Sequence, residues 1–183
     1  MEIIRVDENL IDETSAFAQD TFINYYNDLI GNAQAVYMAD LFLSKDAIKE
    51  LIDKGAIFKI VKEDDKIIGF FEYQKEDNRV FLSKLYAAES KRGMGLGRIM
   101  FEDVVNYAKE NSLDSIYLTV NKGNTPSYNI YLHLGFKVID AVVNDIGNGY
   151  VMDDYIMEYK VNGPPRRPCR CDRRYSRNSG WSA

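Results

Sequence analysis

The chain has 183 residues, of which 46% are hydrophobic and 28% charged, a composition that suits one ordinary domain with its own core. Its longest apolar stretches, such as residues 67–73, are far shorter than the ~20 residues that span a bilayer, and the N-terminal residues lack a basic region followed by an apolar one. These features argue against a membrane protein or a secreted one, so we expect a cytoplasmic protein.

Basic residues are concentrated at the C-terminal end. Residues 163–183 hold six Arg and one Asp, so residues 1–162 carry 17 basic and 27 acidic side chains, a net charge of −10. We expect residues 1–162 to form the folded domain and residues 163–183 to be a disordered, Arg-rich tail. The tail is either an extension from vector read-through or a shifted reading frame, or a native arm that binds nucleic acid.

Both cysteines, Cys169 and Cys171, lie in that tail, and the chain contains one histidine. Two Cys separated by one residue, without further Cys or His partners, match neither a zinc site nor a disulfide framework. We therefore expect no metal, and a cysteine nucleophile within residues 1–162 is excluded.

The first third of the chain shows mainly helical periodicity. Residues 2–6 read as a short strand, and apolar residues at helical spacing predict helices over 10–29 and 34–43. A third helix is predicted from Ser44, a good N-cap residue, to Gly55.

Strands dominate the middle of the chain. Residues 56–62, 66–74 and 79–86 alternate in the manner of strands and are separated by short polar turns, which predicts an antiparallel meander.

Helix and strand alternate after the meander. The pattern predicts a helix over 95–111, a strand over 115–120, a short helix over 127–134, and strands over 136–142 and 150–159. A strand, a helix and a strand in succession predict a parallel pair with a right-handed crossover. The predicted fold class is therefore mixed α/β, with an antiparallel front half and a partly parallel back half.

A glycine-rich segment between the meander and the next helix carries the clearest chemical signal. Gly93, Gly95 and Gly97 remove side chains where a backbone must approach an anion, and the first N–H groups of the helix point to the same place. Arg92 and Arg98 add cations at the rim. The G-x-G-x-G spacing fits neither a P-loop nor a dinucleotide fingerprint. The segment is either a pyrophosphate cradle of another kind or a helix entry without a ligand.

Two motifs together resemble the GNAT superfamily of N-acetyltransferases. Residues 92–97, RGMGLG, are similar to the signature [Q/R]-x-x-G-x-[G/A], and residues 124–136, NTPSYNIYLHLGF, resemble the second block of the family. The resemblance covers most of residues 2–160. It implies a central, mostly antiparallel sheet with a parallel pair at its centre, flanked by helices, with acetyl-coenzyme A as co-substrate and an amine as acceptor.

The resemblance also assigns roles to individual residues. A strand backbone would pair with the pantetheine arm and polarise the thioester carbonyl, the glycine loop would hold the pyrophosphate, and the second block would contact the coenzyme arm. The implied coenzyme-binding residues are Leu85, Tyr86, Ala87, Arg92, Gly93, Met94, Gly95, Leu96, Gly97, Arg98, Asn124, Ser127 and Tyr131.

Tyr131 would be the general acid that protonates the departing thiolate, because a Tyr with a pKa near ~10 keeps its proton at neutral pH. Its apolar neighbours also allow a plain packing role. Asn124 could equally be the N-cap of the short helix. His133, two positions after Tyr131, faces away from it, so we expect a surface histidine, with contact to the adenosine phosphate as the alternative.

The expected reaction is direct attack of a neutral amine on the thioester in a ternary complex, because residues 1–162 contain no Cys and no Ser, His and acid constellation. The amine must first lose a proton. Candidate bases are Glu72, on the strand beside that of Leu85, and the pair Asp153 and Asp154, each of which could instead be structural or solvated.

The acceptor is less defined by the sequence. A domain with a net charge of −10 attracts cations and repels nucleic acid, which favours a polyamine or another small basic amine. Parts of the N-terminal third and residues 151–158 resemble the PaiA-type spermidine and spermine acetyltransferases of bacteria. A protein N-terminal or lysine acetyltransferase and a non-catalytic coenzyme A sensor are the alternatives. The sequence does not define the oligomeric state; relatives are often dimers, so a homodimer is one of the assemblies that the resemblance allows. We expect no nucleic acid or membrane partner.

Overall fold

Seven strands pair into one sheet in the computed structural model, which describes residues 1–161. The predicted tail at 163–183, with both cysteines, lies outside the described residues. The strands are β1 (Glu2–Arg5), β2 (Ile57–Glu63), β3 (Lys66–Glu76), β4 (Arg79–Ala87), β5 (Ser115–Asn121), β6 (Lys137–Gly147) and β7 (Tyr150–Lys160). The helices are α1 (Ile11–Ile30), α2 (Asn32–Leu43), α3 (Lys45–Asp53), α4 (Leu96–Glu110) and α5 (Thr125–Leu134).

The sheet order is β1-β2-β3-β4-β5-β7-β6. Strands β2 to β4 form the antiparallel meander, and β1 pairs antiparallel with β2 at the edge of the sheet. Strands β4 and β5 form the parallel pair in the middle of the sheet. The last strand, β7, runs antiparallel between β5 and β6. The predicted mixed α/β fold, mostly antiparallel with a central parallel pair, is confirmed.

Two apolar layers cover the sheet. On one face α4 packs Met100, Phe101 and Val104 against the sheet, while α1 to α3 cover the other face. Neighbouring residues of β3 show the alternation, because Phe70 joins the layer under α1 and Phe71 joins the layer under α4. The central strands are therefore buried between helices, whereas β6 at the sheet edge is mostly exposed. Ligands can reach the central strands only where strands or helices separate.

Element boundaries differ from the predictions mainly in the last third. The sixth strand extends to Gly147 instead of ending at residue 142, because it pairs with β7 along most of its length. The short helix starts at Thr125 instead of Ser127, since Pro126 is well tolerated in a first helical turn. Tertiary pairing and the proline, rather than periodicity, set these limits.

None of the helices within residues 1–161 combines the length and apolar character needed to cross a membrane.

Candidate active site

The site begins where the parallel pair separates. β4 and β5 share three ladder pairs, from Arg79↔Ser115 to Phe81↔Tyr117, although β4 continues to Ala87 and β5 to Asn121. On its other side β4 stays paired with β3 up to Ala87. The backbone of residues 82–87 therefore faces an opening on the β5 side, where its polar groups are available to a ligand.

A β-bulge lies at the start of this opening. The β3 ladder passes from Glu72↔Lys84 to Tyr73↔Leu82, so Ser83 is the additional residue on β4. A bulge bends its strand and re-aims the neighbouring side chains. The bulge thus marks the point where β4 leaves β5.

A first cavity of about 240 Å³ occupies the opening. It is lined by β4, the glycine loop, β5 and α5, with Tyr25 and Tyr26 of α1 at one side. Most of the coenzyme-binding residues predicted from the sequence line it, namely Leu85, Tyr86, Ala87, Arg92, Gly93, Gly95, Leu96, Gly97, Asn124, Ser127 and Tyr131.

The glycine loop and the start of α4 form one end of the first cavity. Gly95, the N-cap residue of α4, adopts a left-handed φ of 85°, which glycine accepts without strain. Within residues 1–161, no side chain forms a capping hydrogen bond at this helix end. Its first N–H groups, together with the positive end of the helix dipole, are therefore suited to a phosphate group.

Two of the predicted loop residues do not line the cavity. Met94 has 69% of its surface exposed, and Arg98 forms an exposed ion pair with Glu102 at 3.0 Å. Arg92 does line it, and its guanidinium stacks on the Tyr25 ring at 4.9 Å. Of the two predicted cations, Arg92 is thus the one that faces the cavity.

The Asn124 side chain forms three hydrogen bonds in the cavity wall opposite the glycine loop. Its Oδ1 accepts hydrogen bonds from the Ser127 N–H at 3.2 Å and from the Tyr25 hydroxyl at 2.8 Å, and its Nδ2 donates to the Tyr26 hydroxyl at 3.4 Å. The side chain is 2% exposed. Asn124 is therefore the N-cap of α5 and also joins α5 to α1.

Tyr131 lies one helical turn beyond Ser127 and lines the first cavity. Its ring is half-buried and meets Phe136 edge-on at 5.6 Å. Burial raises the pKa of Tyr131, and nearby Tyr26 and Tyr25 raise it further. Tyr131 therefore keeps its proton at neutral pH, as a general acid must.

A second cavity, of about 250 Å³, lies between α1, α2 and the strands β4, β5 and β7. Much of its lining is apolar, including Phe22, Ile30, Met38, Phe42, Phe81 and Met152. At its rim Gln34 of α2 donates a hydrogen bond to the Val151 carbonyl of β7 at 3.2 Å. This hydrogen bond therefore links helix α2 to strand β7 at the rim of the cavity.

The two cavities share one wall. Four residues line both of them: Tyr26, Ser83, Tyr86 and Thr119. The Tyr26 and Tyr86 hydroxyls are hydrogen-bonded to each other, and burial raises the pKa of both residues. Tyr26 and Tyr86 therefore keep their protons at neutral pH at the place where the two cavities adjoin.

Asp154 is the acid that reaches the second cavity. Its side chain lies on β7 and is 3% exposed. Burial raises the pKa of this carboxyl to about 6, the neighbouring Asp153 adds to the rise, and a hydrogen bond from Thr119 opposes it. A carboxylate in the second cavity, beside Thr119 of the shared wall and with a pKa close to neutral, can accept a proton.

Glu72, the other predicted base, is placed differently. It is 1% exposed, lines neither cavity, and accepts a hydrogen bond from Lys84 Nζ at 2.8 Å. Lys84 itself lines the second cavity. In the structure Glu72 is therefore the buried counter-ion of Lys84.

His133 lies at the surface, where its Nδ1 is 2.7 Å from the Asn129 carbonyl oxygen, and it lines neither cavity. This matches the expectation of a surface histidine.

Sequence reasoning missed Tyr25, Tyr26 as a cavity residue, and Thr119. Tyr25 and Tyr26 lie about a hundred residues before Asn124, so no local motif connects them. The adjacent tyrosines in an otherwise amphipathic helix were the one available signal. Thr119 lies on β5, and only the pairing of β5 with β7 shows that it lines the two cavities.

Comparison with known proteins gives relatives of modest identity. The probable N-acetyltransferase san of Drosophila melanogaster is 26% identical over 97 residues, 50% of this chain and 53% of the fly protein, so the match spans about half of that relative. The L-2,4-diaminobutyric acid acetyltransferase of Virgibacillus pantothenticus is 29% identical over 118 residues, 59% of this chain and 72% of that protein.

Solved structures share the fold. The PaiA N-acetyltransferase from Thermoplasma acidophilum, crystallised with coenzyme A, superposes with a TM-score of 0.75 at 21% identity, covering 87% of this chain and 98% of that one. Residues 19–136 match the sequence model of the acetyltransferase (GNAT) family. The chain therefore belongs to the acetyltransferase (GNAT) family, which confirms the predicted class of acetyl-coenzyme A-dependent acetyltransferase.

Proposed function

We propose that this protein transfers an acetyl group from acetyl-coenzyme A to a small primary amine by direct attack within a ternary complex. The observation that carries the proposal is the pair of cavities with one shared wall. The first cavity offers a glycine loop and an open strand backbone, and the second offers a carboxylate. The lining residues that the structure describes fall between positions 22 and 154, and we also propose that residues 1–162 form the acetyltransferase domain.

The first cavity suits acetyl-coenzyme A. The amides of residues 93–97 and the uncapped start of α4 would hold the pyrophosphate, with Arg92 beside them. The open backbone of Leu85 to Ala87 would pair with the pantetheine arm and donate to the thioester oxygen as negative charge develops there. Asn124 would orient the arm within the first cavity.

The ammonium of the acceptor first loses a proton to water, which leaves the neutral amine that attacks, and two further protons must then move during transfer. As the bond between the amine nitrogen and the acetyl carbon forms, the amine proton passes to the Asp154 carboxylate, directly or through a water. As the carbon–sulfur bond breaks, the departing thiolate takes a proton from Tyr131. The raised pKa values of both groups suit these opposite tasks, because Asp154 accepts a proton near neutral pH while Tyr131 still holds one.

The rim of the second cavity favours a small acceptor over a protein chain. Besides the contact of Gln34 with Val151, the Tyr37 hydroxyl donates to the Ile146 carbonyl at 2.8 Å, and the Tyr37 and Tyr150 rings lie 5.4 Å apart. These contacts tie α2 to the β6–β7 hairpin. A peptide lying in an extended groove there would have to break them, whereas a small amine would not.

Initial-velocity kinetics test this proposal. Rates are measured while acetyl-coenzyme A and a primary amine are varied together, with the full chain and a thiol-detecting reagent. Direct attack in a ternary complex predicts intersecting double-reciprocal lines. Parallel lines would indicate an acetyl-enzyme and contradict the mechanism. Coenzyme binding without turnover of any amine or peptide would favour the sensor instead.

A further inference from the structure

The charges that face the second cavity are few and nearly balanced. Within the described chain its lining contains one acid, Asp154, and one base, Lys84. Lys84 lies 2.8 Å from Glu72, which is itself buried, so these two side chains neutralise each other. One carboxylate is therefore left to face a bound cation.

The acidic character of the domain does not extend into this cavity. Several of its acids, among them Glu8, Glu50 and Glu63, form ion pairs with lysines at the molecular surface. Net charge acts over long range and steers cations toward the protein, but it does not replace a local partner for a buried charge. The charge-based case for a polyamine therefore has little support in the cavity lining.

Outside the shared wall, the described lining of the second cavity consists of apolar side chains, the neutral amides of Gln34 and Asn121, the neutralised Lys84, and Asp154 as its one free carboxylate. Asp154 is hydrogen-bonded by Thr119, which belongs to the shared wall. Met38, Phe42 and Met152 line the second cavity alone. An acceptor would thus place its amino group at the wall, beside Asp154, and the rest of its structure among apolar side chains.

We propose, on the basis of the function proposed above, that the preferred acceptor is a primary amine on an apolar alkyl or arylalkyl group, with a single cationic centre. A second ammonium group would lie among Met38, Phe42 and Met152 without a carboxylate partner. A buried charge without a partner is strongly disfavoured. Polyamines are accordingly poor acceptors.

A matched pair of amines tests the proposal. Hexylamine and hexamethylenediamine have the same carbon chain and differ by one terminal ammonium. With the full chain and saturating acetyl-coenzyme A, kcat/KM for hexylamine should exceed that for the diamine by at least about tenfold, because the second charge loses its hydration without a partner. Phenethylamine should resemble hexylamine, and spermidine should resemble the diamine.

The outcomes separate this proposal from the one it rests on. Faster turnover of the diamine or of spermidine would overturn the apolar acceptor and leave the acetyltransferase function intact. Turnover of none of the four amines, with acetyl-coenzyme A still binding in calorimetry, would overturn both. Higher kcat/KM for hexylamine and phenethylamine would support both.

A pair of variants tests whether the apolar part of the acceptor amine lies beside Met152 in the second cavity. Met152→Glu places a carboxylate in the half-buried part of the lining, and Val151→Glu places one on the exposed neighbour that lies outside it. Met152→Glu should reduce the hexylamine preference about tenfold by pairing with the second ammonium, while Val151→Glu should leave it unchanged. Thermal unfolding checks that both variants are folded. An equal preference in the two variants would contradict the assigned position.

Discussion

The two cavities are built in different ways. The first uses the glycine loop, an uncapped helix start and an open strand edge, and its contributors from Leu82 to Tyr131 follow one another along the chain, with Tyr25 and Tyr26 added from α1. The second uses side chains from α1, α2, β4, β5 and β7. The first therefore depends largely on backbone, and the second on side-chain identity.

This difference separates what the fold provides from what the individual sequence provides. Backbone amides and a helix dipole suit any phosphate ligand, so the first cavity fits the coenzyme shared by the whole reaction class. Under the proposed function, the apolar side chains and the one carboxylate of the second cavity would select among acceptors. Mutations should accordingly damage coenzyme binding at the first cavity, and chemistry or acceptor choice at the second.

The largest effect is expected from Asp154→Asn. Removing the proposed base should lower kcat/KM for the amine by about 10²-fold or more, with unchanged affinity for acetyl-coenzyme A. In the wild-type protein the rate should rise as pH increases through about 6, since Asp154 must be deprotonated. The pH–rate profile of the variant should lack this rise near pH 6. Persistence of the rise in the variant would assign the base elsewhere.

Glu72→Gln should affect stability more than chemistry. It leaves the ammonium of Lys84, which is 10% exposed, without its counter-ion, so the free energy of unfolding should fall by about 3 kcal/mol. Glu102→Gln, in an exposed pair with Arg98, should change it by less than about 1 kcal/mol. Urea unfolding measures both. Loss of the rise in rate near pH 6 in Glu72→Gln would instead identify Glu72 as the base.

Gly97→Val should weaken coenzyme binding by roughly tenfold or more, because its methyl groups would block close approach of a phosphate to the helix start. A Cβ at Gly97 has room, since its nearest contact is Leu85 Cδ2 at 3.8 Å, so the variant should fold. Gly97→Ala, which the family signature permits, is the matched control. Equal affinity of the three proteins in calorimetry would contradict the phosphate cradle.

Tyr131→Phe should lower kcat by about tenfold or more while leaving acetyl-coenzyme A affinity nearly unchanged, because it removes a proton donor and little volume. Single-turnover rates separate the chemical step from product release. A wild-type rate in Tyr131→Phe would leave Tyr131 with a packing role only.

The smallest effect concerns stability at Asp154. The pKa of Asp154 is about 6 in the folded protein, above the ordinary value of 3.8. Between pH 3.8 and pH 6, the carboxyl is therefore protonated in the folded state and ionised in the unfolded state. The stability contributed by the protonated form is present below pH 4 and is lost as pH rises through 6. Asp154→Asn should thus raise the free energy of unfolding at neutral pH by about 1 kcal/mol. Decreased stability would contradict the raised pKa.

The contrast between the two cavities also explains how much of the site could be predicted from the sequence. Gly93, Gly95 and Gly97 lie within one short segment, so the sequence limited them to a pyrophosphate cradle or a helix entry without a ligand, and the family resemblance favoured the cradle. The meander also placed Glu72 beside the strand of Lys84 and Leu85. The bulge at Ser83 and the insertion of β7 beside β5 depend on pairing between distant segments, which periodicity does not specify. These pairings place Asp154 in the second cavity, beside Thr119, and leave Glu72 outside both cavities.

Amine-dependent acetyl transfer is the most direct test of the central claim. The full chain is incubated with acetyl-coenzyme A and hexylamine at neutral pH, free thiol is followed over time, and the amine product is identified by mass spectrometry. The account predicts thiol release that requires the amine and equals the N-acetylated product formed. Coenzyme binding without amine-dependent thiol release, for hexylamine and every other amine of the panel, would contradict it.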